Sequence, residues 1–436
     1  MEDVLRSILI VSVLLGLVGC GGPGAAPDEE RPPGLSASIA RSDKERIASP
    51  DVSASDAADL VSGDSGFAFD LYRFLVKEKD GNLFYSPYSI SLALAMTYAG
   101  ARGETERQVA DTLHFTLPQE RLHPAFNNLD LTLARRSEGV KGQDGEGFRL
   151  NIVNAVWGQQ GYEFLPEYLD VLAENYGAGL RLLDFAGAPE ESRVTINDWV
   201  SDQTEGKIED LLPQGVIDGL TRLVLTNAIY FNAAWAEPFD EGMTEDGAFH
   251  LLDGGQVTVP MMRQTASFGY AEGADYQAVE LPYDGRQLSM VILLPHAGEF
   301  EPFENSLDAE TVDAILKSLA YREIALGMPK FEVESDFSLA DALATMGMPD
   351  IFSMDADLSG IDGTRELFVK DVVHKAFVSV DEAGTEAAAA TAVVIALKAA
   401  PEPPIEVTLD QPFIFLIRDI ETGAILFVGR VVNPGA

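Results

Sequence analysis

The stretch DEAGTEAAAATAVVIALK occupies residues 381–398 and combines features of a helix with features of a strand. Its run of four consecutive alanines favours a helix on intrinsic propensity, and a short alanine-rich linker is a second simple interpretation. Two features oppose both. The part from Thr391 to Leu397 is rich in β-branched side chains, and Gly384 stands where a strand would need a position free of side-chain clash.

In a strand, successive side chains point to opposite faces, so alternate positions of this stretch form two sets. Glu386 and Lys398 fall in one set. The other set contains no charged residue and consists of Thr385, Ala387, Ala389, Thr391, Val393, Ile395 and Leu397. The stretch can therefore bury one face inside a β-sheet.

The body around this stretch is predicted to be an α+β fold. Apolar spacing predicts an amphipathic helix through Phe67 and Leu75, capped by Asp64 or Ser65, and a mostly buried helix over 89–99. Strands are predicted at 150–157, 223–231, 288–294 and 374–380, with a C-terminal hairpin of 412–417 and 424–432. Helices and strands are segregated rather than alternating, which indicates α+β. No linker or repeat divides the chain after about residue 62.

The composition is that of a globular protein with a large acidic excess. Of 436 residues, 46% are hydrophobic and 23% are charged. Lysine and arginine total 30 against 70 aspartates and glutamates, so the formal net charge is −40. This charge repels phosphates, and we expect no nucleic-acid partner.

The N-terminus has the pattern of an export signal. An apolar run over 7–16 is too short for a membrane span and is followed by Leu17-Val18-Gly19-Cys20. This pattern resembles a bacterial lipoprotein signal, which implies removal of residues 1–19 and lipidation of Cys20. A chance cysteine after an ordinary signal peptide is the alternative, because Glu2 and Asp3 dilute the expected positive charge.

Cys20 is the single cysteine of the chain, so an intramolecular disulfide is impossible. Residues 20–60, rich in Gly, Pro, Ala, Ser and Asp, are predicted to be a flexible tether. The folded domain is then expected over 61–436. Through its lipid, and only through it, the protein would contact a membrane.

The sequence shows no complete catalytic motif. Gly63-Asp64-Ser65-Gly66 looks like the nucleophile motif of trypsin-like proteases, but no histidine precedes Ser65, so a helix cap is the preferred interpretation. The histidines lack the spacing of a metal site, and phosphate-binding glycine loops and GxSxG are absent. We expect no metal, no cofactor and no enzymatic activity, against the rival hypothesis of a surface hydrolase.

The region around residues 381–398 resembles the serpin family. Residues 374–382 are similar to the central strand of that family's main sheet, and the segment that follows matches the hinge of inhibitory members. The hinge residues implied are Glu382, Gly384, Thr385, Glu386, Ala387, Ala388, Ala389, Ala390 and Thr391.

Other segments extend the resemblance over residues 65–434. Residues 82–90 resemble the family's shutter, where Ser86, Ser89, Asn227 and His374 would form a polar cluster beneath the sheet. Residues 226–231 resemble the breach strand, where Trp235 and Lys375 would lie and the loop first inserts. Residues 196–208 resemble the helix across the sheet, and 410–415 the C-terminal signature. The implied fold has about nine helices, three β-sheets and an exposed, metastable reactive-centre loop at about 382–404.

The resemblance implies inhibition of serine proteases by a suicide-substrate mechanism. The target protease would attack the loop and form an acyl-enzyme, and the cut loop would insert into the main sheet as a new strand. Counting thirteen positions from Thr385 places the reactive bond between Lys398 and Ala399. Leu397 is the alternative, because the segment before Pro412 looks longer than in many relatives and the count tolerates no insertion.

Lys398 implies trypsin-like targets, whereas Leu397 implies elastase-type or chymotrypsin-type targets. Insertion of residues 385–398 would move the attached protease about 45 Å, at roughly 3.3 Å per residue. A non-inhibitory serpin and a purely structural lipoprotein remain the rival functions. The hinge has none of the bulky, charged or proline residues of non-inhibitory members. We expect a monomer whose one partner is the covalently trapped protease.

Overall fold

The computed structural model describes residues 36–137, 149–385 and 403–436. Within these ranges the α-helices are α1 (Ala54–Glu78), α2 (Pro87–Tyr98), α3 (Gly103–Thr112), α4 (Gln119–Ala134), α5 (Pro166–Tyr176), α6 (Pro189–Gln203), α7 (Phe300–Ser306), α8 (Ala309–Ser318), α9 (Ala340–Met346) and α10 (Ser359–Asp362). The first eight strands are β1 (Ser38–Ala40), β2 (Leu83–Tyr85), β3 (Arg149–Gln159), β4 (Leu180–Leu183), β5 (Leu223–Ala234), β6 (Glu245–His250), β7 (Gln256–Glu272) and β8 (Tyr276–Pro282). The others are β9 (Leu288–Pro295), β10 (Ala320–Pro329), β11 (Phe331–Ser338), β12 (Val369–Val380), β13 (Gly384–Thr385), β14 (Ile405–Thr408), β15 (Phe413–Asp419) and β16 (Ile425–Val431).

Seven strands form the main sheet, in the order β1-β4-β3-β5-β13-β12-β11. At its centre β5 and β12 run parallel, with register from Leu223 opposite Val369 to Tyr230 opposite Phe377. Short β13 lies between the same two strands at one end, antiparallel to both. The central pair is therefore joined directly along most of its length and separated by another strand at one end.

Nine strands form the second sheet, in the order β14-β10-β7-β8-β9-β15-β16-β2, with β6 on β7. The α+β class is confirmed. The described residues contain two hydrogen-bonded sheets, whereas three were expected. The physical reason is β7, a 17-residue strand that pairs with β6 near its start, with β8 near its end and with β10 between.

The helices cover both faces of the main sheet. All twelve residues of α2 are buried, and α2 contacts β3, β5 and β16, so it fills the space between the two sheets. On the opposite face, Ile196 and Val200 of α6 share a separate apolar cluster with Val153, Trp157 and Val224. The helix expected to lie across the sheet does so, and it ends at Gln203.

Helix α1 begins at Ala54, well before the predicted caps Asp64 and Ser65, so the predicted start of this helix was wrong. Ser53 is the N-cap and accepts a hydrogen bond from the Asp56 amide, whereas Ser65 lies inside the helix and donates to the Val61 carbonyl. Glycine inside a helix weakens it, but here a Cβ on Gly63 would strike the His114 carbonyl. Close packing explains why glycine stands there.

The predicted tether over 20–60 was also wrong in its C-terminal part. Residues 38–40 form β1, which pairs with β4 of the main sheet, and residues 54–60 belong to α1. Between them the Ile47 amide donates to the Glu174 carbonyl of α5 at 2.9 Å. The composition of this segment predicted flexibility. The side chains that dock it are too few to show the periodic apolar pattern of a helix or a strand.

Gly429 of β16 allows a tight contact within the second sheet. It lies opposite Phe415 of β15, and a Cβ added to Gly429 would clash with the Phe415 ring. We predict that Gly429→Ala lowers the free energy of unfolding by about 1–3 kcal/mol, because overpacking moves the ring. Urea unfolding followed by tryptophan fluorescence measures this change.

Gly81→Ala is the matched control, because a Cβ there would meet no atom within 4 Å. Equal urea midpoints for the two variants would refute the packing argument at Gly429.

Candidate functional site at the opening of the main sheet

A buried polar cluster lies under the parallel pair β5 and β12. Asn227 stands directly opposite His374 in this pair, and the Asn227 carboxamide nitrogen donates to Ser89 Oγ at 2.5 Å. The Ser86 amide donates to His374 Nε2 at 3.2 Å, and the Ser89 amide donates to Ser86 Oγ at 3.1 Å. The four residues expected at the shutter are therefore in contact, and all are fully buried.

The hydrogen bonds define the state of the His374 ring. Because Nε2 accepts from the Ser86 amide, the proton is on Nδ1, which faces the carbonyl oxygen of Asn227. Burial lowers the pKa of His374 to about 3. The imidazole is therefore neutral at physiological pH, and it holds the loop before α2 against both central strands.

Asn154 of β3 is a fifth member that sequence reasoning missed. Its side-chain oxygen accepts from Asn227 and from Ser89 Oγ, and its nitrogen donates to the Ser89 carbonyl at 3.2 Å. The available signal was a carboxamide in the middle of an apolar strand. Its partners lie 65 and 73 residues away in sequence, so no local pattern could identify them.

The hinge begins inside the sheet. Gly384 and Thr385 form β13, opposite Ala234 and Ala233 of β5, and Thr385 also lies opposite Val380 of β12. Thr385 is fully buried, and its Oγ1 lies 3.0 Å from the Tyr283 hydroxyl. The first residues of the stretch thus already occupy the space between the central strands.

Gly384 has a backbone conformation that favours glycine. Its φ is +157°, and a Cβ at this position would clash with the Ala233 carbonyl and lie 2.6 Å from Ala234 Cα. Any larger residue would push β13 away from β5. The chain can turn from β12 into the sheet only because this side chain is missing.

Trp235 lies at the end of the space between β5 and β12 that β13 enters, which we call the slot. Its ring stacks on Tyr283 at a centroid distance of 4.7 Å, and its Nε1 donates to the Asp381 carbonyl at 3.0 Å. The Trp235 amide donates to the Ala383 carbonyl at 2.9 Å. Trp235 therefore holds the turn that leads from β12 into β13.

Glu382 anchors the same turn through an ion pair. Its carboxylate lies 2.5 Å from Lys330 Nζ and accepts from Thr244 Oγ1 at 2.6 Å. Burial alone would raise the pKa of Glu382, but the hydrogen bonds from Lys330 and Thr244 outweigh burial and lower it. The carboxylate is thus ionised and fixed.

The expected role of Lys375 at the breach was wrong. Lys375 pairs in register with Ala228, seven residues before Trp235, which is about 23 Å along the strand. Its Nζ binds Glu334 at 2.6 Å and the Glu209 carbonyl at 3.2 Å. Lys330, which sequence reasoning missed, supplies the cation at the slot, and nothing in its local sequence marked it.

Chain order was the reason for preferring a helix cap at Gly63-Asp64-Ser65-Gly66 over a nucleophile motif, because no histidine precedes Ser65, and this reason was wrong. The His114 ring lies against Gly66 and 2.7 Å from the Asp70 carboxylate. A histidine that comes later in the chain can therefore lie near the motif that contains Ser65. The Ser65 hydroxyl instead donates to the Val61 carbonyl of its own helix at 2.9 Å.

Several expected site residues lie outside the described residues. These are Cys20, the hinge from Glu386 to Thr391, and Leu397, Lys398 and Ala399 around the expected reactive bond. Among the described residues, none of the helices combines the length and the apolar character that crossing a membrane requires. In the same part of the chain, His, Cys, Asp and Glu side chains form no group of three or more suited to a metal ion.

Comparisons with known proteins support one family. Residues 62–434 match the profile of a family described as serpin, serine protease inhibitor. An uncharacterized serpin-like protein of Thermococcus kodakarensis is 41% identical, covering 98% of this chain and 99% of that protein. The leukocyte elastase inhibitor of Homo sapiens is 42% identical, covering 86% of this chain and 99% of that inhibitor. The crystal structure of uncleaved ovalbumin superposes with a TM-score of 0.77 at 29% identity, covering 86% of this chain and 100% of that one.

We predict that His374 makes stability depend on pH. The native pKa of about 3 is below the ordinary value of 6.5, so the unfolded state binds a proton first as the pH falls. The stabilisation is complete above pH 6.5 and is lost progressively from there toward pH 3. The wild-type unfolding free energy should fall by up to about 1.4 kcal/mol per pH unit relative to His374→Gln.

Urea midpoints measured between pH 8 and about pH 4 test this slope. His250→Gln on β6 is the matched control and should follow the wild type. Parallel curves for the wild type and His374→Gln would show that His374 is not the titrating group.

Proposed function

The chain belongs to the serpin family, and from that premise we propose that it inhibits serine proteases as a suicide substrate. The protease cuts the loop that follows β13, and the cut loop inserts between β5 and β12 before the acyl-enzyme is hydrolysed. The observation that carries this proposal is β13 itself, which already lies between those strands. Insertion continues a pairing that has begun.

The slot suits a strand that extends from β13. Beyond the two residues of β13, β5 and β12 pair directly with each other in parallel, so their mutual hydrogen bonds must break for a new strand to pair with both. The inserted strand would pair with β5 on one side and with β12 on the other. Two ladders of hydrogen bonds would thus replace the single ladder between β5 and β12. The hinge residues after Glu386, from Ala387 to Thr391, have small side chains, which favour rapid insertion without clash.

Two described clusters would control how readily the slot opens. The shutter bonds among Asn227, His374, Ser86 and Ser89 join the central strands to α2, so they resist separation of β5 from β12. The ion pair of Glu382 with Lys330 fixes the turn where insertion starts. Buried polar bonds of this kind are costly to leave unmade, so they oppose premature opening.

We assign the reactive bond to Lys398 and Ala399, with trypsin-like proteases as targets. A lysine before the bond pairs with the carboxylate at the base of the specificity pocket of such enzymes. Leu397 is the alternative, with elastase-type or chymotrypsin-type targets. The similarity to the leukocyte elastase inhibitor supports inhibition in general and leaves both assignments open.

We further propose that the mature chain begins at a lipidated Cys20, which anchors it to a membrane. The support is the pattern of small residues before Cys20 after an apolar run. Metabolic labelling with a fatty acid, compared between the wild type and Cys20→Ser, distinguishes a lipoprotein from a secreted protein.

The central prediction concerns a covalent complex. Incubation with trypsin should give a band of higher mass that survives boiling in detergent, because the acyl bond is trapped. Lys398→Ala should slow formation of this band on the order of a hundredfold or more. The control is Lys317→Ala, which removes an exposed lysine on α8 and should leave the rate unchanged.

Each outcome of the electrophoresis has a definite meaning. Faster trapping of an elastase or chymotrypsin would move the reactive bond to Leu397. Cleavage without any stable complex, for all of these enzymes, would identify a non-inhibitory serpin and defeat the proposal.

We predict that Thr385→Arg converts the inhibitor into a substrate. Thr385 is fully buried between the central strands, and a charge there costs several kcal/mol of insertion free energy. Insertion then becomes slower than hydrolysis of the acyl-enzyme, so the protease is released and the cut protein is a product. The measurement is the ratio of cleaved to complexed protein after reaction with trypsin.

Thr385→Ser is the matched control, because it keeps the hydroxyl that meets Tyr283. Trapping by Thr385→Arg as efficient as by Thr385→Ser would show that this position does not insert.

A further inference from the structure

An N-terminal segment, residues 38–47, docks onto one end of the main sheet. It precedes residue 62, where the match to the family profile begins. Its first part is β1, antiparallel to the edge strand β4, with Ile39 opposite Arg181 and Ala40 opposite Leu180. The segment therefore adds an outer strand to a sheet that would otherwise end at β4.

The second part of the segment binds α5. Ser42 Oγ donates to an Asp170 oxygen at 2.5 Å, and Lys44 Nζ lies 3.1 Å from Asp170 and 2.9 Å from Glu174. The Ile47 amide also donates to the Glu174 carbonyl. Two acidic side chains of one helix thus hold the segment as it leaves β4.

The last part binds α4. Arg46 Nη2 lies 2.6 Å from Asp130, and Arg46 Nε donates to Asn127 Oδ1 at 2.8 Å. The Asn127 nitrogen donates in turn to the Ile47 carbonyl at 2.8 Å, and Asn127 is fully buried. A buried carboxamide that binds both a side chain and the backbone of the segment makes this a fitted site.

The surface beneath the segment also fits its backbone. A Cβ on Gly179 would lie 2.8 Å from the Ala40 carbonyl oxygen and 2.9 Å from Ile39 Cγ2. A Cβ on Gly177 would lie 3.2 Å from the Arg46 side chain. Glycine at these two positions leaves room for the segment, which larger side chains would displace.

Opposite charges face each other at two positions of the site. The segment carries Arg41, Lys44 and Arg46 beside Asp43 and Glu45, and Lys44 and Arg46 are the cations that contact the docking site. The docking site presents Asp130, Asp170 and Glu174, each with a side chain about 30% exposed. The site therefore fits an extended peptide with cations at the positions of residues 44 and 46, and this chain supplies one.

The position of the segment couples it to the opening of the sheet. Separation of β5 from β12 must shift β5, β3 and β4 together, because they are paired in one ladder. Helix α4 packs on α1, outside that ladder. The segment is paired with β4 at Ala40 and fixed to α4 at Arg46, so movement of β4 relative to α4 strains or breaks these contacts.

We propose that residues 38–47 are a clasp that joins the β4 edge of the main sheet to α4 and α5 and slows opening of the slot between β5 and β12. This inference rests on the proposed function, since it concerns the same insertion. The clasp holds the uncut protein in its native form. Loss of the clasp lets the uncut loop insert spontaneously.

The test uses the full chain with Lys44→Gln and Arg46→Gln together. The native protein is kept at a moderately raised temperature, and samples are run on urea-gradient gels, where the inserted form resists unfolding. The variant should convert to the resistant form roughly tenfold faster than the wild type, because the ion pairs of Lys44 with Asp170 and Glu174 and of Arg46 with Asp130, which oppose opening, are lost.

The matched control removes two cations from exposed ion pairs elsewhere. Arg107 on α3 pairs with Glu104 and Asp111, and Lys317 on α8 pairs with Asp313. The double variant Arg107→Gln and Lys317→Gln has the same net charge as the clasp variant and should convert at the wild-type rate. Faster conversion specific to the clasp variant supports the proposal.

A synthetic peptide of residues 36–48 gives a second measurement. At millimolar concentration it should restore slow conversion to the clasp variant, whereas the same peptide with glutamine at positions 44 and 46 should not. Rescue also shows that the variant is folded. Equal effects of the two peptides would overturn the assignment of a specific site.

Two further results would overturn the proposal, and they differ in what else they reject. If protein cut by trypsin gains heat resistance but the clasp variant converts no faster than its control, the clasp is refuted and loop insertion stands. If no protein, cut or heated, gives a resistant form, loop insertion is refuted and the clasp with it.

Discussion

The parallel pairing of β5 with β12 is the interaction on which the rest of this structure depends. It is continuous from Leu223 to Tyr230 and is replaced at one end by β13, which occupies the space between the two strands. Because β13 has only two residues, the chain that follows it could extend the pairing of β13 with β5 and β12. In the proposed mechanism, the buried clusters around the pair oppose that extension in the uncut protein.

Three sets of contacts surround this central pair, and each acts on a different part of it. Glu382, Lys330 and Trp235 hold the turn at the end where β13 lies. His374 and Asn227 join the middle of the pair to the loop before α2. The clasp of residues 38–47 lies three strands away and is joined to the pair through β4 and β3. In the proposed mechanism, these three sets of contacts resist opening until the loop is cut.

Within the described residues, the family motifs anticipated the shutter cluster and Trp235 beside the first hinge residues. The four shutter residues lie in contact as expected, and Gly384 has the conformation that its position in the motif suggested. The family resemblance placed Lys375 at the breach, but strand register puts it beside Ala228. The cation that pairs with Glu382 at the slot is Lys330.

By itself, the amino-acid sequence determined the α+β class, helix α2 and the six strands predicted from apolar runs, because those follow from periodicity along the chain. Only the tertiary structure decided that Asn154 completes the shutter, that α1 begins at Ala54, and that residues 38–47 are docked rather than free. These features depend on contacts between residues far apart in sequence. Such contacts are set by strand register and packing, which local patterns do not encode.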